Sequence, residues 1–307
     1  MTMSKYWRKR EEENRKRLIK NNNKLMRELQ RSHNDARREI QKEIEAFYGR
    51  YASKEGISME VAKQRVTKLN IEDYSIKAKK YVKERRFTPT ANEEMRLYNV
   101  TMRVNRLELL KKNIELELLS LYSGEERLML DYFTTEALYE YERLSGILGV
   151  TVASRKKELS ALINASFKNA TWSTRLWNNQ DALKTALNRE LNRAMVQGLN
   201  SRDTARNIRD QFDVSVDNSE RLMVTEQGRI RVGIQKDSYE QLGIDKYEVI
   251  VEPDGCDICK EFDGEIYDVK DMRISENAPI FHPRCMCSTA SYIDRKDYEK
   301  DLKTRGL

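Results

Sequence analysis

All four cysteines of this 307-residue chain, and one of its two histidines, lie in a single short tract. The tract reads Cys-x-x-Cys, a spacer of 22 residues, then His-x-x-Cys-x-Cys. It supplies five candidate ligands where a structural zinc takes four: Cys256, Cys259, His282, Cys285 and Cys287. A segment this short cannot bury a core of its own, so the tract predicts a small module held together by Zn²⁺.

The ligand count indicates which kind of metal site to expect. We expect Cys256, Cys259 and His282 to bind, with either Cys285 or Cys287 as the fourth ligand and the other cysteine spare. Four protein ligands leave no open position for water or substrate, which is typical of a structural zinc rather than a catalytic one.

Three enzymatic interpretations compete with the structural one, and we expect none of them. A thioredoxin-like Cys-x-x-Cys needs a βαβ setting, which the pattern before Cys256 does not offer. A zinc hydrolase needs an open metal position and a general base, for which the nearby acidic residues are candidates: Glu261, Asp263 and Glu265. A histidine-based nuclease needs a second histidine, and His33 is far away in sequence.

Composition restricts the class of protein. Charged residues make up 35% of the chain, with only 12 glycines and 4 prolines, which favours long solvent-facing helices over a sandwich or barrel. No run of 18 apolar residues is present, so we expect no membrane span.

The charged amino terminus lacks an apolar segment, so the sequence predicts no secretion signal. The protein is then expected in a reducing compartment, where clustered cysteines favour metal binding over disulfide bonds.

The hydrophobic pattern predicts a mainly α chain: an elongated multi-helix body followed by a small C-terminal β-rich zinc knuckle. The first helix is predicted over residues 5–48, where a narrow apolar stripe consists of Leu18, Leu25, Leu29, Ala36, Ile40, Ile44 and Phe47. Further helices are predicted over 58–69, 73–86, 90–122, 125–144, 154–164, 181–197, 201–212 and 217–242. Gly124 is expected to end a helix, and Asp217 or Ser219 to cap one. Strands are predicted over 246–252, 265–269 and 291–293.

These elements suggest four segments. They are a basic N-terminal helical arm (1–57), a helical region (58–149), a helical core (150–245), and a β-rich zinc-binding module with a C-terminal tail (246–307). Three aromatic residues near the start of the core (Phe167, Trp172 and Trp177) could stack on bases, but we favour the interpretation that they anchor a loop to helices.

The net charge is concentrated at the amino terminus. Residues 1–50 hold 15 lysines and arginines against 8 acidic residues, a difference of +7 that equals the formal charge of the whole chain. Such an arm is suited to a polyanion such as double-stranded DNA or to an acidic protein surface; the alternative is an ordinary solvated helix face. The candidate nucleic-acid contacts are Arg8, Lys9, Arg10, Arg15, Lys16 and Arg17.

Several short motifs follow one another in the second half of the chain. They are Trp172-Ser-Thr-Arg175-Leu-Trp177, Gly198 with Ser201-Arg202-Asp203, Val224-Thr225-Glu226, Asp254-Gly-Cys256-x-x-Cys259, Asp263-Gly264, and His282-Pro283-x-Cys285-x-Cys287. In this order, over about residues 167–290, they resemble the head-morphogenesis (minor head protein) family of tailed bacteriophages, which includes the Mu F-like proteins. Val224 and Met286 stand where that family usually has arginine.

The resemblance implies a virion component rather than an enzyme. It implies a minor capsid protein that enters the procapsid with the portal protein, contacts the inner capsid shell, and takes part in DNA packaging or ejection. Its location would be the capsid interior, and the host cytoplasm during assembly. The alternative from the residues alone is a sequence-independent DNA-binding or regulatory protein, followed by a metal-dependent nuclease.

Overall fold

The computed structural model describes residues 3–51, 80, 83, 89–148, 156–197 and 201–292. The longer helices within these ranges are α1 (Met3–Tyr51), α2 (Pro89–Leu148), α3 (Lys156–Ile163), α4 (Trp172–Gln197) and α5 (Ser201–Gln241). They are followed by β1 (Lys246–Ile250), the single-turn α6 (Asp257–Lys260), β2 (Ile266–Asp268), a 3₁₀ turn (Val269–Asp271) and β3 (Ser288–Tyr292). The predicted mainly α architecture with a small C-terminal β-rich module is confirmed.

Contacts group the chain into two compact units. Unit 1 comprises residues 1–30, 124–178 and 217–307, and unit 2 comprises residues 31–123 and 179–216. The four segments suggested by the sequence stay a prediction. The predicted helices over 58–69 and 73–86 lie outside the described residues except for the helical positions 80 and 83. None of the described helices is both long and apolar enough to cross a bilayer.

The apolar stripe of α1 packs as its spacing predicts. All six stripe residues with described side chains are buried: Leu18, Leu25, Leu29, Ala36, Ile40 and Ile44. The side chain of Phe47 lies outside the described part of the chain. A stripe this narrow commits one face of the helix to packing and leaves the remaining faces for charged residues.

Two predicted helix breaks are wrong. Helix α2 continues through Gly124, because one glycine in a helix costs only about 1 kcal/mol relative to alanine and the buried side chains on either side outweigh that cost. Helix α5 likewise joins the two helices predicted over 201–212 and 217–242. Ser219 is fully buried within α5, where its hydroxyl donates a hydrogen bond to Glu125 rather than capping a helix.

The start of α4 was also misplaced by the sequence pattern. Helix α4 begins at Trp172, nine residues before the predicted start at 181. Thr171 supplies the missing signal, because its Oγ1 accepts a hydrogen bond from the backbone N–H of Thr174 at 3.1 Å, which is the geometry of a helix N-cap. The buried Trp172 packs edge-on against Phe133, with ring centroids 5.4 Å apart, so its anchoring role is confirmed although it lies on a helix rather than in a loop.

The small sheet is antiparallel with strand order β2–β1–β3. In β3, Ser288 pairs with Ile250 and Tyr292 pairs with Lys246, so this strand begins three residues earlier than predicted. Its two serines and its alanine carry little strand propensity, and the ladder with β1 determines their conformation. The core of this module combines sheet residues with Val232 and Tyr239 of α5, so the metal-ligand tract is packed directly against that helix.

A buried carboxyl group in unit 1 predicts a pH-dependent stability. Glu125 is 1% exposed, and its Oε2 accepts the 3.1 Å hydrogen bond from Ser219. Burial raises the pKa of Glu125 to about 8, so folding favours the protonated form. The neutral Glu125 carboxyl therefore stabilises the folded state. This stabilisation is fully present below the unfolded pKa of 4.5 and is lost as the pH rises through about 8.

We therefore expect Glu125→Gln, which cannot ionise, to be more stable than the wild type at pH 8 by on the order of a few kcal/mol. At pH 5 the two proteins should differ little, because the wild-type carboxyl is then neutral in the folded state. Urea unfolding at both pH values measures the difference, and a pH-independent difference would contradict the assignment.

Candidate metal centre

The first two cysteines are placed by a turn and a single helical turn. After β1, Gly255 permits a tight approach, since a Cβ at this position would lie 2.4 Å from Val251 Cγ1. Cys256 then precedes α6 and Cys259 lies within it, where the backbone N–H of Lys260 donates to Cys256 O at 3.0 Å. Residues three apart on a helical turn face the same direction, so the two thiols point to one side.

The second half of the tract returns to the same point. His282 Nε2 lies 3.1 Å from Cys259 Sγ, and Cys285 Sγ lies 3.8 Å from Cys259 Sγ. Zinc–sulfur bonds of about 2.3 Å in a tetrahedron place neighbouring sulfurs about 3.8 Å apart. The observed sulfur–sulfur distance therefore fits a shared tetrahedral metal ion.

All five predicted ligands are brought together in two overlapping triplets. Cys256, Cys259 and His282 form one triplet, and Cys259, Cys285 and Cys287 form the other; within each, the ligand atoms lie within 4.8 Å of one another. Cys259 belongs to both triplets. The exposed fraction of Cys259, Cys285 and Cys287 is at most 1%, whereas Cys256 is exposed. The cluster can hold a metal ion, and its thiol and imidazole donors are those zinc takes. Which four of the five bind stays a prediction.

The imidazole is oriented by the backbone. His282 Nδ1 lies 2.8 Å from the carbonyl oxygen of Pro283 and donates to it, which leaves the lone pair of Nε2 directed towards Cys259. A hydrogen bond from the far ring nitrogen to a carbonyl is the usual way in which a metal-binding histidine is held in the right tautomer.

The thiols influence one another's ionisation. A hydrogen bond from the Cys287 thiol lowers the pKa of Cys285 to about 5, and the same hydrogen bond raises the pKa of Cys287. Burial raises the pKa of Cys259 to about 12. Cys259 and Cys287 therefore favour the neutral thiol, and their binding as thiolates needs a positive charge such as a divalent cation would supply.

Helix α5 supports the ligand loop from behind. The backbone N–H of Arg284, a residue with a φ of 63°, donates to Thr225 Oγ1 at 3.0 Å, and its guanidinium donates to Asp217. Arg231 donates through Nη2 to the carbonyl oxygens of Met286 and Cys287, at 3.2 and 2.6 Å. The loop conformation that presents His282, Cys285 and Cys287 is therefore fixed by side chains of α5.

The close approach of this loop to α5 depends on Gly228. A Cβ there would lie 2.3 Å from Ile280 Cδ1 and 3.4 Å from the carbonyl oxygen of Cys285. A larger residue at this position would displace the side chain of the buried Ile280, which packs in the ligand loop.

Thr225 is expected to tune metal affinity without touching the metal. Thr225→Val keeps the shape but removes the acceptor for Arg284 N–H, so we expect metal affinity to fall by about 10-fold, in the range seen when residues behind metal ligands are lost. Thr225→Ser retains the hydroxyl and should behave like the wild type. Competition with a chromophoric chelator measures the affinity, and equal affinities for the valine and serine variants would contradict a positioning role.

The carboxylate next to Thr225 has a different partner set. Glu226, fully buried, accepts hydrogen bonds from Arg175 Nη1 of α4 and from Arg229 Nε, both at 2.6 Å. Arg229 also donates to the carbonyl oxygens of Leu162 and Ile163 at the end of α3. Two motifs of the sequence pattern, Trp172–Trp177 and Val224–Glu226, are thus joined by an ion pair. The pattern did not identify Arg229, although its i, i+3 spacing to Glu226 is visible in the sequence.

The predicted nucleic-acid contacts fall into two groups. Three arginines have carboxylate partners in unit 1: Arg8 with Glu248 (3.1 Å) and Asp263 (2.9 Å), Arg15 with Glu252 (3.2 Å), and Arg17 with Glu136 (2.8 Å). In the second group, Lys9 is exposed, Arg10 donates to the hydroxyl of Tyr6, and Lys16 pairs with Glu12 on the helix surface. DNA contact by the six stays a prediction, but three of them are engaged within the protein.

The residues needed by the competing catalytic interpretations have other surroundings. Asp263 forms an ion pair with Arg8 and accepts a hydrogen bond from the backbone N–H of Val251. The two ligand triplets found among the described residues contain none of the three acidic candidates, Glu261, Asp263 and Glu265. His33 lies in the core of unit 2, 3.4 Å from Ser215 Oγ, and burial lowers its pKa to about 4. It is a core histidine.

Comparison with known proteins bears on this site. Residues 185–290, about a third of the chain, match the model of the family described as Phage Mu protein F like protein. The matched range contains all five candidate ligands together with Thr225, Glu226 and Gly228. Searches of curated proteins and of solved structures found no match.

Proposed function

We propose that this protein is a phage minor head protein, because residues 185–290 match the model of the family described as Phage Mu protein F like protein. It enters the procapsid together with the portal protein, contacts the inner shell, and acts in assembly rather than in catalysis. The family match over the ligand tract and α5 is the observation that carries the proposal. Its place of action is then the capsid interior, and the host cytoplasm while the head is being built.

The geometry of the site favours a structural role for the metal. The donors outnumber the four positions of a tetrahedral zinc, and Cys259, Cys285 and Cys287 are shielded from water. Bound zinc supplies a cross-link between the Cys-x-x-Cys turn and the His-x-x-Cys-x-Cys loop. The residues of α5 hold that loop in position, so the module forms a rigid element suited to docking.

Two measurements test the proposal. Co-expression with the portal protein of the same phage, followed by affinity purification of either one, should recover both. Mass spectrometry of purified virions should detect the protein, before and after DNA ejection. Its absence from virions would overturn the proposal, and its loss on ejection would place it with the released DNA.

A second candidate, a sequence-independent DNA-binding protein, is favoured by the charge of α1. This candidate differs from the first because it needs no other head protein: the purified chain alone would bind double-stranded DNA. Deletion of residues 1–50 should abolish such binding, whereas co-purification with the portal protein need not depend on DNA. A nuclease, in contrast, would cleave phage DNA when divalent metal is added.

A further inference from the structure

Helix α1 carries two sets of cations with different surroundings. The inner set, Arg8, Arg15 and Arg17, is paired with carboxylates of unit 1 as described above. A second set lies on the exposed side of the same helix and is named here the outer stripe: Lys16, Lys20, Lys24 and Arg27. The spacing of four, four and three residues places all of them on one face.

The outer stripe has an uncompensated charge. Residues 16–30 contain five lysines and arginines and a single acidic residue, Glu28. Lys16 pairs with Glu12 at the surface, while Lys20, Lys24 and Arg27 make no ion pair with a carboxylate in the part of the chain that the structure describes. Like charges four residues apart destabilise a helix, so the stripe is not accounted for by the stability of α1.

The shape and composition of the stripe favour one kind of partner. From Lys16 to Arg27 it runs about 16 Å along the helix, at 1.5 Å per residue. Double-stranded DNA presents one negative charge per about 1.7 Å of its axis, and flexible lysines match a row of phosphates. Lysine is depleted in protein–protein interfaces, which are anchored by aromatic residues, and the stripe itself contains none.

We propose that Lys16, Lys20, Lys24 and Arg27 form a sequence-independent binding surface for the phosphate backbone of double-stranded DNA. The surface shares only Lys16 with the six cations predicted from the sequence, and it leaves out the inner arginines, which are engaged within the protein. It rests on the proposed function only for its setting inside a phage head; the binding itself is a property of the purified chain.

Fluorescence anisotropy with a labelled 30-base-pair duplex tests the proposal on the full chain at several NaCl concentrations. In the test variant, Lys20→Gln, Lys24→Gln and Arg27→Gln are combined. In the matched control, three exposed cations from other elements are changed in the same way: Lys112→Gln, Arg206→Gln and Lys270→Gln. Both variants lose three positive charges, and glutamine preserves helix propensity.

We expect the stripe variant to bind DNA at least 10-fold more weakly, with the slope of log K against log salt reduced by about 2.7, or 0.9 for each lost phosphate contact. The control should change affinity less than twofold. Unchanged binding by the stripe variant, or equal losses in both variants, would overturn the proposal.

The same variants separate this inference from its alternatives. Binding to polyglutamate but not to DNA would assign the stripe to an acidic protein partner and overturn the proposal. Circular dichroism of each variant shows whether the helices are retained. The outcome is independent of the virion inventory, because absence from virions refutes the proposed function without changing DNA affinity in solution.

Discussion

Cys259→Ser is expected to unfold the metal module, whereas Cys256→Ser is expected to weaken it only partly. Cys259 is shared by both ligand triplets and is fully buried, so its loss leaves no triplet intact. Binding of a structural zinc contributes on the order of 10 kcal/mol, far more than a segment of this size gains from its own core. Loss of that contribution should release residues 246–292 while α2 and α4 remain folded.

Cys256 provides the matched control, because it is exposed and belongs to one triplet only. Elemental analysis should find about one zinc per wild-type chain, little in Cys259→Ser, and a retained but more easily chelated ion in Cys256→Ser. Hydrogen exchange followed by mass spectrometry locates the unfolding. Equal zinc contents in the two variants, or a protected module after removal of the metal, would contradict the assignment.

Glu226→Ala is expected to lower the free energy of unfolding of unit 1 by about 3–5 kcal/mol. The carboxylate is fully buried between Arg175 and Arg229, and Arg229 is itself 4% exposed at its side chain. Removal of the acid leaves the buried positive charge of Arg229 without its acidic partner, and this costs more than the intact ion pair contributes to stability.

A surface ion pair is the control for this substitution. Glu276 pairs with Arg273 at 3.4 Å with both side chains largely exposed, so Glu276→Ala should cost less than about 1 kcal/mol. Urea titrations followed by the helical circular dichroism signal measure both variants. If Glu226→Ala lowered the free energy of unfolding as little as Glu276→Ala does, the buried ion pair would be no more important for stability than the exposed one, and the prediction would be wrong.

The cluster of candidate metal ligands could be predicted from the sequence because the residues that identify it lie close together along the chain. Donor types and short spacings identify a turn that presents Cys256 and Cys259, and a second that presents His282 and the last two cysteines. The same reasoning could not reveal the role of Thr225, because the loop it supports is 59 residues away along the chain.

Helix boundaries were harder to predict, because they depend on packing between distant residues as well as on local signals. A glycine such as Gly124 is a stop signal only when nothing else favours continuation, and the buried side chains around it favour one long helix. At Trp172 the error was different, since the capping signal of Thr171 was present in the sequence but was outweighed by the aromatic character of the segment.

The basic amino terminus shows the limit of reasoning from charge alone. Residues 246–292 carry ten acidic residues against five basic ones, a difference of −5. Arg8 and Arg15 bind carboxylates of this acidic module, so part of the +7 of residues 1–50 is balanced inside the chain. Total charge indicated a polyanionic partner, but only the contacts separate the engaged arginines from the exposed lysines.

These pairings also set an order of events during synthesis. Arg8 meets Asp263 across 255 residues, and the hydroxyl of Ser288 donates to Glu11 across 277. Such contacts can close only after the more than 250 residues between the partners have been made. The first turns of α1 are therefore synthesised well before the residues that they contact. Since Asp263 and Ser288 belong to the ligand module, we expect metal binding to favour these contacts.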